Sequence, residues 1–137
     1  IGVWGAGRVG VHLAPASDSH DIGDDNPKET FGYVARELGK RKIAFIFTRE
    51  GQREGYLTPH IKKEFGGVVI ANQGLSPNDA ATLIDSGTAD AVSWGKNYIS
   101  NPDLVERIEK DIPMAPFNTD TFYFGGPKGY VDYPRAT

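Results

Sequence analysis

The sequence predicts a parallel α/β fold with half the strand complement of a (β/α) barrel. Three observations predict it: strand-like and helix-like stretches alternate four times, the last three strands are nearly uninterrupted apolar runs, and the connections between them are short. Apolar runs without polar alternation belong to strands buried on both faces, and alternation with helices makes such strands parallel. A strand-loop-helix cycle of roughly 30 residues suits either a barrel or a doubly wound sheet. A complete eight-stranded barrel takes about 250 residues, so 137 residues supply four of its eight strands.

The elements follow in order. Val9 to Leu13 carries alternating β-branched residues and ends at Pro15, as a short strand does. Ala16 to Pro27 is small and acidic, with nothing to bury, and crosses a surface. Pro27 then opens a first helix: Phe31, Val34, Ala35 and Leu38 recur at helical spacing, Glu29 suits the first turn and Gly39 closes the end. Ile43 to Phe47 is a buried strand between charged flanks, Lys40 to Lys42 before it and Arg49 and Glu50 after it. A short helix follows, capped by Thr58 with Pro59 at its first position and stopped by Gly66 and Gly67. Val68 to Ala71 is the third strand. Ser76 and Pro77 cap and open a helix with Ala80, Leu83 and Ile84, which Gly87 ends. Ala89 to Trp94 is the fourth strand, and Asn101-Pro102 leads into a helix with Leu104, Val105 and Ile108. Residues 113–137 form an aromatic, Gly- and Pro-rich tail without periodicity. The whole chain, 1–137, therefore reads as a single half-barrel with that tail.

Composition removes several classes of function. Fifteen Lys and Arg against 18 Asp and Glu give a net charge of −3, which disfavours nucleic acid as a partner. No cysteine is present, so disulfides, thiolate metal sites and Cys nucleophiles are excluded, and a reducing, cytoplasmic location is expected. The longest apolar run, Ile43 to Phe47, is far short of the roughly 20 residues that cross a bilayer, so no membrane partner is expected. His12, His20 and His60 share no metal-ligand spacing, and Asp18, Asp21, Asp24 and Asp25 miss the calcium-loop pattern. No metal site is expected.

Gly5-Ala6-Gly7-Arg8-Val9-Gly10 satisfies G-x-G-x-x-G, but the dinucleotide fingerprint needs a strand before it and a helix opening on it. Here Gly10 lies inside a strand-like run, so the glycines make a turn into that strand. The two informative places are strand ends: Ile70-Ala71-Asn72-Gln73-Gly74 and Ser93-Trp94-Gly95-Lys96. Each leaves an apolar strand for a loop that leads to a helix, the carboxyl end where barrels bind ligands. Backbone N–H groups at Asn72, Gln73, Gly74, Gly95 and Lys96, with a lysine beside them, suit a phosphate.

Four blocks carry a family resemblance. Arg8-Val9-Gly10-Val11-His12-Leu13-Ala14-Pro15, Asp90-Ala91-Val92-Ser93-Trp94-Gly95-Lys96, Asn101-Pro102-Asp103-Leu104 and Gly129-Tyr130-Val131-Asp132-Tyr133-Pro134 closely resemble, in order, the C-terminal part of the old yellow enzyme family. These are FMN-containing, NAD(P)H-dependent ene-reductases of the N-ethylmaleimide, pentaerythritol tetranitrate and 2-cyclohexenone reductase type. The resemblance implies strands five to eight of a TIM (β/α)8 barrel, completed by another chain or segment. It implies FMN as cofactor, NAD(P)H as reductant and an activated alkene as substrate. It places Arg8 against the flavin pyrimidine edge, and Asn72, Gln73, Gly74, Gly95 and Lys96 around the FMN phosphate. Lys96 stands where the family usually has Arg, keeping the charge without the bidentate fork. Tyr123 matches an aromatic residue that lines the substrate pocket.

The same resemblance assigns the His/Asn or His/His substrate-binding pair and the proton-donating Tyr to strand four and its loop, upstream of Ile1. No catalytic residue is therefore expected on this chain. The partner is expected to be an N-terminal half-barrel polypeptide or a second copy of the chain. The alternative reading is a non-catalytic half-barrel that binds a phosphate-bearing ligand or forms a homo-oligomer.

Overall fold

The computed structural model describes residues 1–15, 23–123 and 125–136. The chain divides into two compact units, Ile1–Ser93 and Trp94–Thr137. The division falls about twenty residues before the expected start of the tail, and side-chain bonding gives the reason. In the second unit, α4 (Lys96–Ser100) and α5 (Leu104–Glu109) are tied to the tail. Asn101, fully buried, donates through Nδ2 to the Ala115 carbonyl at 3.2 Å, and its Oδ1 accepts the Ala115 N–H at 2.7 Å. Asp103 accepts from Arg107 Nε at 2.9 Å and from the Ala136 N–H at 2.7 Å, while Arg107 Nη1 donates to the Pro113 carbonyl at 2.7 Å. The Asn-Pro-Asp-Leu block is thus a knot that holds irregular chain, with both the Asp103 and the Arg107 side chain buried and paired.

The first unit carries β1 (Gly10–Leu13), α1 (Pro27–Lys40), β2 (Phe45–Arg49), α2 (Thr58–Phe65), β3 (Val68–Asn72), α3 (Pro77–Asp85) and β4 (Ala91–Ser93). All neighbouring strands pair in parallel, in the order β1-β2-β3-β4. A doubly wound sheet reverses its strand order at a switch point. Strictly sequential order is the winding of a barrel, and it decides between the two architectures left open by the strand-helix cycle.

One face of the sheet is a packed core and the other is not. Ile46, Thr48, Val69 and Ala71 are buried and point to the helices, where Ile46 and Val69 pack with Ala35, Ile61 and Phe65. Phe45, Phe47 and Ile70 on the opposite face are only partly buried, and Val68 is exposed. The expectation of burial on both faces is therefore corrected: four strands leave the inward face of the curve uncovered. α1 and α2 approach closely because α1 carries glycines at two contact points. A Cβ on Gly39 would stand 2.5 Å from the Phe65 carbonyl oxygen, and one on Gly32 2.5 Å from His60 Nε2. His60 Nε2 also meets the Lys28 carbonyl at 3.0 Å, which assigns this histidine to helix packing.

The helix starts show which local rules operate. Asn26 Oδ1 caps α1, and Ser76 with Asp79 forms a reciprocal capping box on α3. The expected Thr58 cap on α2 is corrected: Leu57 is the cap residue, without a side-chain bond, and Thr58 is already helical. The capping acceptor comes from outside the helix. The buried Glu50 carboxylate accepts the Leu57 N–H at 2.8 Å, the Thr58 N–H at 2.9 Å and the Thr58 hydroxyl at 3.0 Å. A full negative charge at a helix start outcompetes a hydroxyl for the same orphan donors. No helix among the described residues is long and apolar enough to cross a membrane.

Candidate functional site

The two ends of the sheet differ chemically. At the amino end Asp90 and Lys62 are engaged with one another and with the backbone. Asp90, just before β4, accepts from Lys62 Nζ at 2.5 Å and from the Val69 N–H at 2.7 Å, and Lys62 Nζ also donates to the Gly67 carbonyl at 2.9 Å. The Lys62 ammonium, followed by the Val69 amide, holds the Asp90 carboxyl below its ordinary value. In barrels the amino face carries stability.

The carboxyl end is arranged otherwise. Register places Arg49, Asn72 and Ser93 side by side on β2, β3 and β4. All three lie on the uncovered face, because each stands two residues beyond Phe47, Ile70 and Ala91 on its own strand. Asn72 Nδ2 donates to the Ser93 carbonyl at 2.8 Å and to Ser93 Oγ at 3.0 Å, which locks the ends of β3 and β4 together. Immediately beyond, Gln73 and Gly74 have φ of 90° and 70°. Glycine adopts such angles freely, whereas a side chain pays about 1–2 kcal/mol. Strain of this kind gathers at functional turns. Neither the Gln73 nor the Gly74 backbone N–H has a hydrogen-bond partner among the described residues. Unengaged amides at a strand end are what an anion takes up.

In the second unit, Gly95 is the N-cap of α4 and Lys96 its first residue. The N–H groups of that first turn have no intrahelical acceptor. Lys96 is exposed, its ammonium 5.7 Å from the centre of the Phe117 ring. Tyr123 is 79% exposed and meets the buried Phe122 edge-on and Tyr130 at a tilt, at centroid distances of 6.1 and 6.4 Å. Phe122 is therefore the packed aromatic of that stretch, and Tyr123 the exposed one.

Arg8 does not join the carboxyl-end group. It closes the 3-10 turn Ala6–Arg8 that leads into β1, ahead of Gly10. Gly10 pairs with Phe45 and Phe45 with Val68, four residues before Asn72. At about 3.3 Å per residue, Arg8 therefore lies at least ~13 Å along the strands from Asn72. The physical reason is direction: a residue that precedes a strand sits at its amino end, while ligands seat at the other. The β1 side chain on the uncovered face is His12, whose ring stands edge-on to Phe47 at 4.7 Å.

Comparison with known proteins bears on this arrangement. No protein-family model matches the chain. The "Putative 12-oxophytodienoate reductase 11" of Oryza sativa subsp. japonica is 36% identical over 139 residues, covering 95% of this chain and 38% of the relative. A "Probable flavin mononucleotide-dependent alkene reductase" of Leishmania infantum is 32% identical over 136 residues, covering 95% of this chain and 36% of the relative. Among solved structures, the old yellow enzyme of Trypanosoma cruzi superposes with a TM-score of 0.90 at 29% identity, covering 96% of this chain and 36% of that one. Morphinone reductase in complex with tetrahydroNAD superposes at 0.91 and 33%, covering 99% and 38%. The chain belongs to the old yellow enzyme family.

The chain spans 36–38% of the length of these old yellow enzyme relatives, in keeping with a partial barrel of four strands. The sequence reading missed two residues at the carboxyl end of the sheet. Arg49 served only as the polar boundary of an apolar run, because its place as the last residue of β2 depends on pairing with β3. Glu50 gave no signal, because its partners stand seven and eight residues away at the start of α2.

Proposed function

We propose that this chain supplies the flavin-phosphate end of an FMN-dependent oxidoreductase that takes hydride from NAD(P)H and reduces activated C=C bonds of α,β-unsaturated carbonyl or nitro compounds. The observation that carries the proposal is the pair of unengaged amides at Gln73 and Gly74, on the carboxyl end of a barrel-wound sheet. Its support is the likeness to a relative described as a flavin mononucleotide-dependent alkene reductase. The cradle fits a phosphate: it offers N–H donors and an uncovered face, and the neighbouring Glu50 carboxylate is engaged by Leu57 and Thr58.

In this reading the Asn72-Gln73-Gly74 turn holds the phosphate through backbone N–H groups. The family resemblance adds Gly95 and Lys96, the latter a point charge without the planar fork of an arginine. Bound FMN supplies the hydride acceptor and donor. Tyr123 presents an aromatic edge to the substrate. Arg8 takes no part in the phosphate contact. The residues that orient the alkene and protonate it come from the rest of the barrel, furnished by an N-terminal half-barrel polypeptide or by a second copy of this chain, in the cytoplasm.

The test is ligand discrimination in the intact protein. FMN is expected to bind at least 10-fold more tightly than riboflavin, which lacks the phosphate. Lys96→Gln lowers FMN affinity several-fold and leaves riboflavin affinity unchanged, while Lys96→Arg raises FMN affinity. Equal affinity for the two flavins, or none for either, overturns the proposal and favours a half-barrel without redox function.

A further inference from the structure

We infer that Arg49 is a second cationic ligand of the anion held at the Gln73–Gly74 turn, a contact made through a guanidinium fork from the neighbouring strand. The inference rests on the flavin-phosphate reading for the identity of the anion, but not for the existence of the site.

Four observations carry it. First, Arg49 is paired in register with Asn72, so its Cα lies about 4.8 Å from that of the residue that begins the turn. An extended arginine reaches well beyond that spacing. Second, alternation along β2 assigns its side to the uncovered face: Ile46 and Thr48 are buried toward the helices, while Phe45 and Phe47 are partly buried and Arg49 is exposed. Third, the Arg49 side chain makes no hydrogen bond or ion pair among the described residues. The neighbouring carboxylate does not claim it: Glu50 belongs to the helix-facing side and is saturated by Leu57 and Thr58. Arg36 and Arg41 of this unit are neutralised, by Glu64 and Glu37. Fourth, the Gln73 and Gly74 amides are also without partners. An unpaired guanidinium beside unpaired amides, on one end of one sheet, is a complete set of donors for a tetrahedral oxyanion.

The ligand chemistry is a phosphate monoester. Two sources share it, the terminal phosphate of a flavin mononucleotide and any other small phosphate ester, and the experiment separates them. In the intact protein, inorganic phosphate is titrated while the Gln73 and Gly74 amide resonances are followed by NMR. Saturable shifts are expected in the wild type, with affinity reduced at least 5-fold in Arg49→Gln and largely recovered in Arg49→Lys. FMN and riboflavin are titrated in parallel by fluorescence quenching. Arg49→Gln is expected to lower FMN affinity at least 5-fold while leaving riboflavin within 2-fold.

Absence of saturable phosphate shifts in the wild type overturns the site. So does an Arg49→Gln protein that binds phosphate like the wild type, or one that loses both flavins equally. Phosphate shifts that depend on Arg49 in a protein that binds no FMN support the anion site while overturning the flavin reading, so the two failures are distinguishable. Arg49 is exposed, and the amide spectrum of each variant reports directly whether the fold is retained.

Discussion

Replacing Glu50 by Gln tests how the loop between β2 and α2 is held beside the ligand-binding end. The carboxylate is 4% exposed and meets three donors: the Leu57 N–H, the Thr58 N–H and the Thr58 hydroxyl, all at 2.8–3.0 Å. An amide in its place keeps one acceptor oxygen, which at the Oε2 position still accepts from the Leu57 N–H, the Thr58 N–H and the Thr58 hydroxyl. Its NH2 group then takes the Oε1 position, 2.8 Å from the Leu57 nitrogen and donor against donor, and the three remaining bonds lose a charged acceptor, together about 1–2 kcal/mol. Loss of the charge at the start of α2 adds about 0.5–1 kcal/mol. Glu50→Gln is therefore expected to destabilise the protein by about 1.5–3 kcal/mol, and Glu50→Ala by more, because both backbone donors lose their acceptor. The assay is urea denaturation of the intact protein followed by circular dichroism, with the midpoint lowered and the slope unchanged. A loss below about 1 kcal/mol in both variants would refute the reasoning, because it would mean that water replaces the carboxylate freely and that the loop needs no such clamp.

Other predictions follow from single contacts. Gly39→Ala drives a methyl group to 2.5 Å from the Phe65 carbonyl oxygen and is expected to cost about 1–3 kcal/mol in the same denaturation assay. Gly66→Ala, in open space at φ of 65°, is expected to cost only about 1 kcal/mol. Gln73→Gly relieves a residue held at φ of 90° and is expected to raise stability by up to about 1 kcal/mol while retaining FMN affinity, since the backbone donor survives; a loss of stability would show that the Gln73 side chain is needed. Asn101→Ala removes both bonds to Ala115 and is expected to cost about 2–3 kcal/mol, read as a lowered urea midpoint. For Asp90 the folded carboxyl lies below its ordinary value, with Lys62 the main cause. Its ionised form therefore stabilises the fold above about pH 4, and that contribution is lost as pH falls through the lowered folded value. Wild type and Asp90→Asn should differ in stability at neutral pH and converge on acidification; a difference independent of pH would contradict the assignment.

Much of this fold was legible because strongly periodic stretches bounded by Pro and Gly leave little choice. The reading of α1 from Pro27 and the Ser76 cap of α3 match the structure. β2 begins two residues later and ends two residues later than its apolar run. Ile43 is buried yet lies before the ladder, with the Ala44 N–H turned to the carbonyls of Ala6 and Val9. Thr48 and Arg49 continue the strand because β3 offers them partners, a tertiary effect that polarity hides. α4 escaped notice because Lys96 to Ser100 is a single turn, too short for any period. The turn at Asn72, Gln73 and Gly74 was legible as a carboxyl strand end, since a strand that runs into a small polar turn declares it. The place of Arg8 ahead of β1 was not legible, because a motif quoted as a block gives no direction along the sheet. The Asn101 knot and the Glu50 clamp depend on contacts 7 to 33 residues apart, which local patterns do not contain.

The measurement that tests the central claim most directly is native mass spectrometry of the protein as isolated from its own cells, because one spectrum reports both the polypeptides present and any bound flavin. The account predicts one FMN in a complex that completes the barrel, with FMN lost when Arg49 and Lys96 are both replaced by Gln. A flavin-free species that takes up no FMN on titration would contradict it.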